Sequence, residues 1–159
     1  MTQIFRSRED ILRIMRDSRI GTMGATGIAM LLLFKFAMLS SIRPDNLWKA
    51  LIAAAVFARW SQALACSVSG YARTDGKAEH FIKHADKTAI FAGALFTLAL
   101  NWILMGMSGI ILFACASAVV LLFIQHTNRK IGGMTGDTIG ATNEIAEASA
   151  LLFSLILIG

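Results

Sequence analysis

Proline, cysteine and charge are all scarce in this chain. Its 159 residues include one proline and two cysteines, and only 16% of them are charged. Cys66 and Cys115 lie in apolar segments with no cysteine or histidine nearby in metal-binding spacing, so we interpret them as small core residues. Hydrophobic residues make up 56% of the chain and the mean hydropathy is +0.64, which excludes an ordinary soluble domain of this length. The composition indicates an integral membrane protein.

The distribution of apolar residues predicts the fold class. Several apolar stretches approach or exceed about eighteen residues, the length that a spanning helix needs. We therefore predict an all-α polytopic membrane protein that forms one domain over residues 1–159, with an amphipathic cytoplasmic arm at 1–23 and a transmembrane bundle at 24–159. Five spanning helices are predicted, at 24–42, 48–70, 88–105, 109–127 and 141–158.

The arm is predicted to contain an amphipathic helix over residues 4–20 that lies on the membrane. Ser7 followed by Glu9 and Asp10 is a helix-start signal, and five arginines face water or lipid phosphates. The positive charges of the connections then set the orientation: eleven Lys or Arg lie in the arm and in the loops 71–87 and 128–140, against two, Arg43 and Lys49, on the other side. This imbalance predicts a cytoplasmic N-terminus in the cell inner membrane, and it explains the net charge of +5 without a nucleic-acid partner.

Residues 129–147 combine a basic pair with glycines, hydroxyls and acids, and we place the chemistry there. Gly132, Gly133 and Gly136 permit positive φ and close approach to a ligand, while Thr135 and Asp137 offer oxygens to a metal or a phosphate. The alternative is that Gly132, Gly136 and Gly140, spaced by four, form a small-residue packing face between helices, with the acids merely near an interface.

Two acids follow in the last span and continue this polar run. Glu144 and Glu147 are three residues apart and share a helix face, with Asp137 two turns before Glu144. Ionisable groups within spans are costly and usually face a bundle interior or a wet cavity. Together these three acids are the candidate catalytic residues.

A second polar segment, 17–24, is predicted to lie on the same cytoplasmic side. The candidate binding residues in it are Asp17, Ser18, Arg19, Gly21, Thr22 and Gly24. Glycines at 21, 24 and 27 are expected to permit a turn before the first span. Because both segments adjoin spans on that side, we expect them to approach each other.

Two cations and a histidine pair need separate interpretation. Lys35 lies near enough to a span end to snorkel. Arg59 is mid-span, so we expect it to pair with Glu144 or Glu147; the alternative is that it binds a substrate phosphate. His80 and His84 are four residues apart and could ligate a metal, but no further ligand completes a zinc set, so a solvated face is favoured.

Two separated motifs resemble the cobalamin synthase family, adenosylcobinamide-GDP ribazoletransferase. They are residues 14–24 and 129–141, followed by Glu144 and Glu147, and the stretches 58–60 and 71–73 resemble family features as well. The resemblance implies a magnesium-dependent membrane enzyme that joins adenosylcobinamide-GDP to α-ribazole or its phosphate and releases GMP. Arg19, Arg59, Arg73 or Arg129 would bind the pyrophosphate, while Asp137 or Glu144 positions Mg²⁺ or the attacking hydroxyl.

The resemblance also implies a difference in length. Family members carry an additional N-terminal membrane portion with an aspartate-rich motif, so this chain would be a fragment, one half of a split enzyme or a remnant. A second chain that supplies this portion, or a homo-oligomer, is therefore an expected partner. A small transporter or channel subunit and a non-catalytic membrane scaffold are the alternatives, since either would also place ionisable residues within spans.

Overall fold

The computed structural model describes residues 7–17, 19–72 and 86–159, which contain six helices and no strand. Five of the helices are long and apolar enough to cross a membrane, with mean hydropathies between 1.4 and 2.6, which confirms the predicted fold class. In chain order they are α1 Arg8–Ile14, α2 Thr22–Ser41, α3 Pro44–Val68, α4 Lys87–Met105, α5 Met107–Ile131 and α6 Gly136–Ile158.

The amphipathic helix of the arm is shorter than the predicted range of 4–20. Ser7 caps α1 as expected, because its hydroxyl accepts a hydrogen bond from the Asp10 N–H at 3.1 Å. The helix ends at Ile14, where the backbone N–H groups of Arg16 and Asp17 bond to carbonyls three residues back instead of four. Within the described residues, α1 therefore makes up about two turns.

The beginnings of all five spans differ from the predicted ones, by one residue at α4 and by five at α6. Helix α2 starts at Thr22, directly after its N-cap Gly21, so Gly24 and Gly27 are helical and the expected turn at these glycines is wrong. Helix α6 starts at Gly136, five residues before the predicted 141, because Thr135 and Thr138 cap it. Asp137 is consequently a helical residue and not a loop residue.

Helix α6 lies at the centre of the bundle, in contact with α2, α3 and α5, while α4 packs against α3 and α5. Its main neighbour is α3, and alanines on both helices allow a close approach of the backbones, as small residues do in membrane bundles. The core around this pair includes Phe57, Leu112 and Leu151. In contrast, α2 and α4 expose large apolar side chains such as Phe36 and Phe96, which suits a lipid-facing surface.

Hydrogen bonds tie the α3–α6 pair together at both ends and show that the helices run antiparallel. At one end Asn46, in the first turn of α3, donates from Nδ2 to the Ile158 carbonyl at 2.6 Å. At the other end residues 70–72, which follow α3, pair with Met134, which precedes α6. We call residues 70–72 and 132–135 the junction, and that end of the bundle the junction end.

Candidate functional site

The backbone of the glycine-rich connection between α5 and α6 requires glycine at two positions. Gly132 ends α5 in the left-handed conformation, with φ 74°, and its N–H donates to the Asn128 carbonyl at 2.9 Å. Gly133 has φ 154°, and a side chain there would overlap the Gly70 carbonyl oxygen. The predicted positive φ is confirmed at Gly132 and Gly133 but is wrong at Gly136, which is the first helical residue of α6. The glycines were expected to allow a ligand to come close. In this structure it is the backbone of residues 70–72 that comes close to them.

Met134 connects this segment to the chain that leaves α3. Its N–H donates to the Gly70 carbonyl at 2.8 Å, and its carbonyl accepts from the Ala72 N–H at 2.9 Å. The pairing forms a single parallel bridge with Tyr71, and the Met134 side chain is fully buried. Two segments more than sixty residues apart in sequence are thus held side by side by main-chain hydrogen bonds.

Arg8 covers the junction from α1. Its Nη2 donates to the Ala72 carbonyl at 3.2 Å, and its guanidinium packs against Gly132. Local spacing does not distinguish Arg8 from the other arm arginines, because it does not determine the direction in which α1 docks. The structure makes Arg8 the link between the arm and the glycine-rich connection.

The start of α6 carries three of the predicted site residues. Thr135 is buried and caps the helix, with its hydroxyl 3.3 Å from the Thr138 N–H and its own N–H donating to Thr138 Oγ1 at 2.8 Å. Gly136 and Asp137 follow in the first turn and are exposed. The helix dipole favours a carboxylate at that position. Asp137 therefore presents its charge at the junction end, while the Thr135 hydroxyl is occupied by capping.

Glu144 and Glu147 share one partner, Lys35 of α2. Lys35 Nζ lies 2.7 Å from Glu144 Oε2 and 3.3 Å from Glu147 Oε2. The Lys35 side chain is only 13% exposed, against 44% and 35% for the two glutamates. Lys35 is therefore held inside the bundle and does not snorkel to an interface. One cation compensates two carboxylates within the spanning segments, and we call these three residues the charged cluster.

The predicted direct pairing of Arg59 with Glu144 or Glu147 is wrong, since Lys35 occupies that position. Arg59 donates to Gln62 Oε1 at 3.1 Å on the exposed side of α3, and it interacts with Glu144 only at longer range. It also lines a groove of about 330 Å³ between α3 and α4, together with Trp60 and Gly93. The sequence offered two cations for two acids, and only the helix packing decides which cation makes contact.

In the described part of the 17–24 segment, Asp17 and Arg19 form a local ion pair. Arg19 Nη2 lies 2.9 Å from Asp17 Oδ2, and these hydrogen bonds lower the pKa of the Asp17 carboxyl. Gly21 caps α2, and Thr22 and Gly24 lie in its exposed first turn. The contact between the N-terminal region and the glycine-rich connection comes from Arg8, so a shared site with 17–24 stays a prediction.

The remaining predicted residues lie either away from the junction or outside the described residues. Arg129 lies on the exposed side of α5, opposite the side that packs into the bundle. Ser18 and Arg73 lie outside the described residues, as do His80 and His84. Their proposed roles therefore stay predictions from sequence.

The described residues do not form a magnesium site by themselves. Within 7–17, 19–72 and 86–159, no group of three Asp, Glu, His or Cys side chains comes together. Asp137 offers one exposed carboxylate, and Glu144 and Glu147 are engaged by Lys35. Because Mg²⁺ needs several oxygen ligands in near-octahedral geometry, these carboxylates do not hold it by themselves.

Sequence comparison shows which known proteins this chain is similar to. A family model described as cobalamin-5-phosphate synthase matches residues 3–155. An adenosylcobinamide-GDP ribazoletransferase of Geotalea daltonii is 36% identical over 152 residues, which cover 96% of this chain and 61% of the relative. Enzymes of the same name from Desulforamulus reducens and a Roseiflexus species are 35% and 41% identical, with 93% and 92% of this chain covered.

The chain is shorter than these relatives and spans 61%, 59% and 54% of their respective lengths. No solved structure matches it. The family match and the five spanning helices identify an integral membrane protein. The family match extends over nearly the whole chain, including both polar segments and the charged cluster, and the chain therefore belongs to the cobalamin-5-phosphate synthase family.

Proposed function

We propose that this chain forms part of an adenosylcobinamide-GDP ribazoletransferase. The substrates are adenosylcobinamide-GDP and α-ribazole or its phosphate, and the products are adenosylcobalamin or its phosphate and GMP. Family membership and the names of the relatives support this assignment. The chain spans about three fifths of the relatives' length. We therefore propose the complete reaction for this chain acting together with the additional portion that the relatives carry.

The reaction is a phosphoryl transfer. The ribazole hydroxyl oxygen forms a bond to the phosphorus that carries the cobinamide, the pyrophosphate bond to GMP breaks, and the hydroxyl proton is released. Such transfers depend mainly on alignment and on stabilisation of the charge that develops on the phosphoryl oxygens. The protein therefore has to supply an anion-binding surface and a carboxylate near the reacting groups.

The observation that carries the proposal is the position of Asp137. It lies in the exposed first turn of α6, directly after the junction, and Glu144 follows on the same helix face. In this proposal Asp137 orients the attacking hydroxyl or holds Mg²⁺, and exposed Arg59 contributes to pyrophosphate binding. Glu144 and Glu147, which are paired with Lys35 in the charged cluster, complete the proposed set of catalytic acids.

Magnesium remains part of the proposal. Asp137 would donate one ligand and bound Mg²⁺ would neutralise phosphate charge, while the other ligands come from outside the described residues. The aspartate-rich motif that the family resemblance implies is the expected source. Equilibrium dialysis of the chain with Mn²⁺ as a spectroscopic substitute for Mg²⁺, with and without that portion, tests this division of ligands.

The proposed location is the cell inner membrane, with the junction end in the cytoplasm. The support is the imbalance of eleven to two in Lys and Arg between the two sides. Single cysteines introduced at Asp45 and Asp137 should react with a membrane-impermeant maleimide from opposite sides. Labelling of position 137 from the periplasmic side would contradict the orientation.

The main test is Asp137→Asn in a reconstituted enzyme that contains both this chain and the portion it lacks relative to its relatives. GMP release should fall about a hundredfold or more, the scale of losing one electrostatic catalytic group. Asp45→Asn is a matched control, because Asp45 and Asp137 each occupy the second position of a spanning helix. Its rate should stay within a factor of two of the unchanged protein.

The assay also separates the alternatives. Activity that returns only when the second portion is supplied supports an incomplete half, and near-normal rates for Asp137→Asn would remove the leading site assignment. Ion or substrate flux in liposomes without GMP release would instead support the transporter alternative.

A further inference from the structure

Helix α5 has two sides with different surroundings, and one of them is not used by the bundle. Leu112, Ala116 and Val120 are fully buried against the neighbouring helices. Ala118 and Leu122 lie on the opposite side and are exposed. This outer side borders a groove of about 750 Å³, and the described residues that line it belong to α5.

The groove is apolar along most of its length and polar at one end. Ala118, Leu121 and Leu122 line the apolar part, which is directed toward the middle of the bundle. Gln125, Asn128 and Arg129 line the end nearest the junction. The groove therefore has the polarity of an amphiphile with its head at the junction end.

The length of the groove matches the length of a lipid acyl chain within one leaflet of the bilayer. Eleven residues separate Ala118 from Arg129, which is about 16 Å along an α-helix. Half of a typical hydrocarbon core is about 15 Å. An acyl chain beside Leu122 and Ala118 would thus extend from the interface to the bilayer midplane.

The charge at the polar end selects the headgroup. The Arg129 guanidinium is exposed and has the fork geometry that suits a phosphate. The Asn128 side chain is fixed beside it, because Nδ2 donates to Ser69 Oγ at 3.0 Å. The lining residues in the described part of the chain include no carboxylate. The positively charged amine of a zwitterionic headgroup would therefore find no anionic partner in the groove.

We propose that the outer groove of α5 binds one anionic phospholipid, with its phosphate on Arg129 and an acyl chain along Leu122 and Ala118. The lipid covers a helix side that the bundle leaves open. It also positions the end of α5 at the membrane surface, directly before Gly132. This inference rests on groove geometry and charge, and it does not depend on the reaction that the protein catalyses.

Titration of the delipidated full chain with phosphatidylglycerol and with phosphatidylcholine of identical acyl chains tests the proposal, with binding measured by native mass spectrometry. Phosphatidylglycerol should bind more tightly, and Arg129→Gln should weaken it about fivefold, the effect of one basic residue at a membrane surface. Phosphatidylcholine shares the phosphate but binds more weakly because its amine lacks an anionic partner, so that substitution should weaken it by a smaller factor. Arg43→Gln, which removes an exposed arginine at the opposite end, should alter neither lipid.

A second variant keeps the test independent of Arg129. Leu122→Trp fills the apolar part of the groove and should weaken both lipids, while the helical circular dichroism spectrum stays unchanged. Equal losses for Arg129→Gln and Arg43→Gln, equal affinity for the two lipids, or displacement of the lipid by GDP would each overturn the proposal. Displacement by GDP would assign Arg129 to nucleotide binding, and a lipid-resistant dimer would assign the groove to a second copy.

Discussion

Two of the places that hold helix α6 rely on different kinds of interaction. At its start, the junction joins backbone to backbone through the two hydrogen bonds of Met134. About 12 Å further along the helix, Glu144 and then Glu147 bind Lys35 through side-chain charge. Substitutions that add side-chain volume should therefore destabilise the junction, while substitutions that change only charge should not. The charged cluster should show the opposite behaviour, because its stability depends on charge and not on side-chain shape.

The largest effect is expected from Gly133→Ala. The new Cβ would overlap the Gly70 carbonyl oxygen and lie 3.0 Å from the Ala72 nitrogen, at a φ of 154° that disfavours a side chain. Strain and the lost pairing together should lower the free energy of unfolding by about 3 kcal/mol or more. Thermal unfolding in detergent micelles measures this loss.

Gly140→Ala is the matched control for that substitution. Gly140 is an exposed helical residue with open space around its Cα, so alanine should be neutral or stabilise α6 by up to about 1 kcal/mol. If both variants lost stability equally, the glycines would serve a common packing face and the junction would have no special role.

A smaller loss is expected when the charged cluster loses its cation. Lys35→Met leaves two carboxylates without their partner, and we expect a loss of roughly 1–3 kcal/mol, below the value for fully buried pairs because both glutamates are partly exposed. Adding Glu144→Gln and Glu147→Gln to Lys35→Met should restore most of the stability. The same unfolding assay applies.

Arg59→Met is the control for the cluster, since Arg59 bonds to Gln62 on an exposed helix side. Its cost should stay below about 1 kcal/mol. A loss as large as that of Lys35→Met, or no recovery in the triple variant, would show that the cluster is not held by the Lys35 charge.

Arg8→Gln should release α1 from the junction with little effect on the bundle. It removes the hydrogen bond to Ala72 and the packing against Gly132, which together contribute about 1 kcal/mol. Spin labels on α1 and α6 should show a broader distance distribution. Arg13→Gln, whose guanidinium binds Asp10 within α1, should leave the distribution narrow, and equal broadening in both variants would exclude a specific role for Arg8.

The smallest effect is a pH dependence of α1. Hydrogen bonds from Ser7 and Arg13 lower the pKa of Asp10 below its ordinary value of 3.8. The bonds to the carboxylate therefore stabilise α1 above that value, and this contribution is lost as the pH falls through the lowered pKa of the folded state. Helicity of the arm, followed by backbone amide NMR, should decline in that range, while Asp10→Asn removes the dependence. A decline that persists in the variant would assign it to another group.

Several features of the protein were predictable because they depend on local sequence. Five apolar stretches predicted the spans, and Ser7 with the following acids predicted the start of α1. The start of α6 was missed because Thr135 and Thr138 cap it reciprocally, a pattern hidden among glycines that suggested a loop. The predicted helix boundary was wrong there because the capping threonines, and not the glycines, determine where the helix begins.

The partners of charged residues were predicted less well. The sequence showed that cations and acids in spans must compensate each other, and it contained Lys35 and Arg59 as alternatives for Glu144 and Glu147. Which cation makes contact depends on the rotation of α2 and α3 about their axes. That rotation is set by packing over the whole helix length, so no local pattern encodes it.

The sequence by itself determined that this protein is an α-helical membrane protein of its family, because hydropathy and motif order are properties of the chain alone. Only the tertiary structure decided that residues 70–72 meet 132–135, that Lys35 binds two glutamates, and that Arg8 covers Gly132. These contacts join residues that are more than sixty positions apart. Their existence depends on the antiparallel packing of α3 with α6 and the docking of α1 and α2, which satisfy backbone and charge together within the membrane.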